Sequence, residues 1–363
     1  MEEALVYGCV GLIGLVFTLL SMSRAEKLNP VHQQLGRMNI HWDTVSDGVV
    51  TYDGLPIQVT VTYQEHELQS MRFTWPALVG TTLRLGPESL SRQLASTDLE
   101  VDDRRFDDEV HVHATDDAMA LALLDDSARS RIRKAIGLGA TFDDDQWRLS
   151  ADQIADDGLE QALRVVSRAH RSLELPATPE ALRGRLEARA TADVSAGVRH
   201  QALQVLVRRG LARDALLARC ESDLQPAVRL TASRARGAKG QPGLEKLLAT
   251  GSRTWKLEAA VSLAELCDGD HAEAGAALMA ALEDPDQVER AAEALARFGT
   301  PRLLPEMGAV HARVPHAAIA RAMASLRARG EPTEAGALAL ADEGGQVSLA
   351  AAAEGRLSQT VDR

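Results

Sequence analysis

Cysteine, lysine and aromatic residues are all scarce in this chain of 363 residues. Three cysteines, Cys9, Cys220 and Cys267, are too few for a disulfide framework, and none stands in the paired spacing of a zinc site. Five of the 40 basic residues are lysine and the rest arginine, a skew that with abundant Ala and Asp reads as a GC-rich bacterial genome. There is no Gly-rich phosphate loop, no G-x-S-x-G, no H-E-x-x-H and no C-x-x-C, so no familiar catalytic motif is present. The formal charge of −12 excludes a chain that is basic throughout and coats nucleic acid. Apolar residues are plentiful at 45%, with 25% charged, enough for a globular core and too apolar for wholesale disorder.

One run has no charge at all. Ala4 to Met22 is nineteen residues long, and as a helix would cover roughly 28 Å, close to the hydrocarbon core of a bilayer. It starts after Glu2 and Glu3 and ends without an Ala-x-Ala pattern, unlike a cleaved signal peptide. Arg24 and Lys27 follow it. The positive-inside bias then places the protein in a bacterial inner membrane, anchored by residues 1–27, with the N-terminus outside and the body in the cytoplasm.

The aromatics divide the chain. Eight of the twelve lie between Trp42 and Trp147, which suits the faces of a β-sheet. Val49–Tyr52, the turn Asp53-Gly54 and Ile57–Tyr63 read as strand, turn, strand, and Met71–Trp75 and Thr82–Leu85 continue the series. Glu109–His113 alternates as another strand, Thr115-Asp116-Asp117 looks like a helix start, and Ser127–Ile136 a second, basic helix. A hairpin over 140–149 and a helix over Leu159–Leu173 complete an α+β domain at residues 36–175. The order Phe106-Asp107, Val110-x-Val112 and Asp116 to Leu124 resembles a group of bacterial membrane-anchored proteins of unknown role, a resemblance that implies no activity. His111 and His113 share one strand face near Asp107, Asp108, Asp116 and Asp117. A zinc site there lacks a third fixed ligand, so the pair reads as a polar sheet face and no metal or other cofactor is expected.

After Leu175-Pro176-Ala177-Thr178-Pro179, a linker or helix start over 176–189, strands give way to Ala- and Leu-rich helices. Val198-Arg199-x-x-Ala202-x-x-x-Leu206 recurs as Val228-Arg229-x-x-Ala232-x-x-Ala235, and more loosely around Ala259, Ala291 and Ala322. Each copy is followed by a break and a second apolar helix, which is one helical hairpin per unit. Asp193 to Arg199 and Asp223 to Arg229 carry an Asp-x-x-x-x-Val-Arg start, and on it the stretch resembles the short HEAT-like repeats of the phycobilisome-lyase type. That resemblance covers residues 190–345 and implies an α-solenoid that binds proteins along one face, with residues 346–363 a C-terminal helix or tail. The Trp, Leu-Gly and Tyr signature of tetratricopeptide repeats is absent.

Residues 97–160 hold 18 acidic and seven basic side chains, whereas 199–256 hold twelve basic and four acidic. The basic stretch is either a solvated face or a docking surface. Its candidate partner-binding residues are Arg208, Arg209, Arg213, Arg234, Arg236, Trp255 and Lys256, facing an acidic protein or the acidic middle domain of a second copy. The fold class expected is therefore multidomain: a single N-terminal transmembrane helix, an α+β middle domain and a C-terminal α-solenoid of helical hairpins. The function expected is a non-enzymatic, membrane-anchored scaffold or adaptor that binds partner proteins. The alternatives are an enzyme or regulator with an unrecognised, metal-using site in the α+β domain, and a membrane-associated nucleic-acid binder, which few stacking aromatics support.

Overall fold

The structure, a computed structural model, describes residues 48–330 apart from 65–66, 79–82, 88–98, 144 and 155–157. Seven strands form one antiparallel sheet: β1 (Gly48–Tyr52), β2 (Leu55–Gln64), β3 (Glu67–Thr74), β4 (Leu83–Pro87), β5 (Val110–Ala114), β6 (Thr141–Asp143) and β7 (Gln146–Ser150), in the order β1-β2-β3-β7-β6-β4-β5. The β1–β2 turn needs positive φ at both central residues; Asp53 (51°) and Gly54 (77°) supply it. Alternation then fixes the register. Val50 pairs with Ile57 and Val59 with Phe73, all buried, while Val49 faces solvent. β3 pairs next with β7, Phe73 opposite Leu149, so two hairpins distant in sequence join.

Aromatic bulk fills the sheet face as the composition implied. Trp75, Trp147, Phe73 and Phe142 are fully buried, with the Phe142 and Trp147 rings tilted at 5.4 Å. Five helices follow or interleave: α1 (Arg104–Asp107), α2 (Asp117–Leu123), α3 (Asp126–Gly137), α4 (Leu159–Ser172) and α5 (Pro179–Ala192). Asp116, Asp125 and Thr178 cap α2, α3 and α5 by accepting first-turn N–H groups at 2.7–3.1 Å. α4 buries Leu159, Leu163, Val166 and His170 along one stripe, and Trp75 Nε1 donates to its Ser167 Oγ at 3.0 Å.

Four helices come next in the chain, α6 (Ala196–Arg208), α7 (Asp214–Cys220), α8 (Pro226–Ala235) and α9 (Gln241–Thr250), with α6 packed on α5 and α8, and α7 on α8. The chain divides into two compact units, up to Gly243 and from Leu244. The second contains α10 (Arg253–Leu266), α11 (Ala272–Ala281), α12 (Val288–Phe298), α13 (Leu304–Arg313) and α14 (Ala317–Gly330). The recurring alanines 202, 232, 259, 291 and 322 are all buried, where a larger side chain would hold neighbouring helices apart.

The expected fold class is corrected on one point. No described helix is long and apolar enough to cross a membrane: the longest have 14 residues, about 21 Å against a hydrocarbon core of about 30 Å. The expected transmembrane segment Ala4–Met22 lies outside the described residues. The helices that directly follow the sheet share its core. Leu186, Ala190, Val198, Leu206, Leu217 and Val228 belong to the same hydrophobic core as the sheet, so α5–α8 fold with the α+β part. What is described is one antiparallel sheet and 14 helices. Physically, the face of α5 that a linker would expose is apolar and has the sheet's own helices to bury against, with α2 packed on both α5 and α6.

Candidate functional site

The sequence repeat turns out to be a repeated ionic connection. In the loop before α6, Asp193 Oδ1 accepts from the Ser195 N–H at 3.0 Å; before α8, Asp223 Oδ1 accepts from the Gln225 N–H at 2.7 Å; before α12, Asp284 Oδ1 accepts from the Asp286 N–H at 3.1 Å. Each aspartate closes its loop on itself. The arginine six residues on then anchors the same loop: Arg199 Nη1 donates to the Asp193 carbonyl and Arg229 Nη1 to the Asp223 carbonyl, both at 2.8 Å.

A second set of bonds joins a helix to the loop before a later one. Arg199 gives Nε and Nη2 to the two carboxylate oxygens of Asp223 at 2.8 and 2.9 Å, a fork-to-fork geometry. In the second unit Arg253 Nε stands 2.6 Å from Asp284 Oδ2. Burial alone would raise the Asp223 pKa, but the Arg199 bonds and the Gln225 N–H hold it below the usual carboxylate range.

The first rung is supplied from outside the repeats. Arg129 of α3, 1% exposed, reaches Asp193, whose side chain is fully buried, through Nη1 (3.1 Å) and Nη2 (2.9 Å). Its Nε donates to Asp103 Oδ2 at 2.7 Å and its Nη1 also to the Leu124 carbonyl at 2.8 Å. Desolvation works against the charge on Asp193, and the Arg129 bonds outweigh it, keeping the carboxyl below its ordinary pKa. The α+β part thus does for the first helical pair what Arg199 does for the second.

The same junction is tight elsewhere. Ser195 Oγ donates to the Asp102 carbonyl at 2.7 Å, and Gln201 Nε2 to the Glu100 carbonyl at 2.7 Å. A Cβ on Gly197 would lie 2.2 Å from Asp102 Cβ, so α6 can approach that loop only through glycine. Asp107, held by the Val101 N–H at 3.1 Å, is pushed up to about 6 by burial first and then by the nearby charges of Asp103 and Asp102.

The basic residues singled out in the sequence are distributed around this frame. Arg208 donates to Asp117 at 2.8 Å, and Arg209 to Asp116 (2.8 Å) and Asp117 (2.6 Å), at the start of α2. Arg213 lies 3.7 Å from Glu187, and Arg236 pairs with Asp214 (3.0 Å) and with Glu221. Of these, Arg208 and Arg209 meet carboxylates of the acidic middle domain within the same chain, while Arg213 and Arg236 pair with acids of the helices that follow it. Arg234 is exposed on α8; in the second unit Trp255 is half-buried and Lys256 exposed.

Little else converges. His111 is buried and His113 half-buried on edge strand β5, opposite Gly86 and Arg84. Among the described residues, no group of three His, Cys, Asp or Glu side chains could hold a metal ion. Cys220 is buried against the Ala190 carbonyl, and burial together with Asp223 pushes its thiol up to about 11, so it stays protonated. In the second unit a groove of about 500 Å³ runs along α12 and α14, lined by Ala292, Ala296, Ala318 and Ala322 with Glu293 and Arg321. Glu289 and Ser325 complete the lining, so alanine methyl groups alternate with exposed polar side chains along it. The loop rung from Arg129 was not legible in sequence; an arginine inside the buried stripe of α3 was its only sign. Compared with protein-family models, curated proteins and solved structures, the chain matches none.

Two outcomes follow for stability. Asp193→Asn leaves the buried Arg129 without its main counter-charge and is expected to cost about 3–5 kcal/mol, against about 1.5–3 kcal/mol for Asp223→Asn, both read by urea unfolding. Equal losses would contradict the difference in burial. Asp107 has the opposite linkage: its folded pKa is raised, so its contribution is present below the unfolded value and lost as pH rises from about 4 to about 6. Asp107→Asn should therefore raise the melting temperature at pH 7 and leave it unchanged near pH 4; a difference that does not vary with pH would refute this.

Proposed function

We propose that this chain is a non-enzymatic protein-binding scaffold whose helical pairs are HEAT-like repeats. The observation that carries the reading is the identical loop connection at Asp193/Arg199 and Asp223/Arg229, thirty residues apart, with the Arg199–Asp223 fork joining the two. Pairs joined in this way stack on one another, and stacking leaves the loops and one helix of each pair facing outward as a repeated surface. The basic side chains on that surface, several exposed although paired, favour partners of acidic character. Exposed pairs of this kind contribute little to stability, so a competing carboxylate from a partner exchanges for them at small cost.

The chain's few lysines make the test direct. Lys239, Lys246 and Lys256 belong to the helical pairs and Lys134 to α3, and all four are exposed. After capture of partners from a native extract and amine cross-linking, cross-links to partners should fall on Lys239, Lys246 or Lys256. Cross-links confined to Lys134 would place binding on the α+β part and contradict the proposal.

A further inference from the structure

Three large apolar side chains stand out as exposed among the described residues: Val49, Val194 (73%) and Leu224 (92%). Single exposed apolar residues need no explanation. Val194 and Leu224, however, occupy the same place in successive pairs, each one residue after the loop aspartate. The position is therefore repeated rather than scattered.

Arg229 lies against the second of them. Its Nη1 donates to the Asp223 carbonyl at 2.8 Å and to the Leu224 carbonyl at 2.9 Å. Arg199, one pair earlier, makes the same carbonyl bond and spends Nε and Nη2 on the carboxylate of Asp223. The corresponding Nε and Nη2 of Arg229 have no hydrogen-bond partner among the described residues. Aspartates stand in the loops at 193 and 223, whereas the loop before α10 reads Thr250-Gly251-Ser252.

We infer that Arg229 and Leu224 together form a docking point for a protein segment carrying an Asp or Glu beside an apolar side chain. The inference rests on the protein-binding reading above and names the partner's chemistry. The chain itself shows what the guanidinium edge takes, since Asp223 fills the same edge of Arg199 with two bonds of 2.8 and 2.9 Å. Two carbonyl bonds already fix the Arg229 head, so little side-chain freedom is lost when a carboxylate arrives. Leu224, bare and adjacent, gives the apolar anchor that a phosphate backbone would not use.

The test is selection of random displayed peptides on the full chain. Enriched sequences should carry Asp or Glu next to Leu, Ile, Val or Phe. Affinity of a selected synthetic peptide should fall about ten- to a hundredfold for Arg229→Gln, as expected for loss of a charged, forked hydrogen bond, and Arg229→Lys should not restore it. Leu224→Ser removes a side chain that packs on little, so it leaves folding intact and should still weaken binding several-fold. Enrichment of peptides without an acid, no enrichment at all, or equal binding by the Arg229→Gln and Leu224→Ser chains would each overturn the inference. Tighter, Arg229-dependent binding of a single-stranded RNA oligonucleotide than of any selected peptide would also overturn it. Peptides that bind independently of Arg229 while cross-links still fall on the helical pairs would remove this docking point and leave the scaffold reading standing.

Discussion

A guanidinium with almost no access to water must be given carboxylates, and Arg129 obtains them from both sides of a junction. Asp103 comes from the loop before α1 and Asp193 from the loop before α6, so the charge is satisfied only when the sheet's helices and the first helical pair are both in place. Removing either side would strand a buried charge, a penalty of several kcal/mol and a large part of any domain's stability. This requirement makes α5–α8 part of the same folded unit as the sheet rather than an appendage to it.

From that fixed point the pattern propagates by repetition. Asp193 closes its own loop and is held from behind by Arg129; Arg199 returns a bond to that loop and reaches forward to Asp223. Small side chains do the rest: Ala202 and Ala232 are fully buried, and Gly197 lets α6 sit against Asp102 without a Cβ between them. The forward reach is missing after Arg229, and there the repeat presents a polar edge and an exposed leucine instead of another internal contact.

Local structure was largely legible in the sequence because its signals are local. Asp53-Gly54 sets a turn by its backbone conformation, Asp116 and Thr178 are helix caps by side-chain chemistry, and the period of Leu159, Leu163 and Val166 marks a buried helical stripe. The alanines at 202, 232, 259, 291 and 322 mark buried faces of helices. What was not legible depends on separation: the pairing of β3 with β7, and of Arg129 with an aspartate 64 positions away, leaves no trace in any window of sequence. For the same reason Arg208 and Arg209 read as a free basic edge, although their carboxylates, Asp116 and Asp117, stand more than 90 positions earlier in the same chain. Arg199 and Arg229 were the exception, because the aspartates near them recur at a fixed offset.

The central claim is that the buried Arg129–Asp193 connection makes the sheet and helices α5–α8 one cooperative body. Native-state hydrogen exchange tests it most directly, by comparing the opening free energies of core amides in β7, such as Leu149, with those in α5 and α6, such as Ala190 and Leu206. The account predicts a single shared value at low denaturant for all three segments. Exchange of α5 and α6 through a separate, lower-energy opening that leaves β7 protected would contradict it.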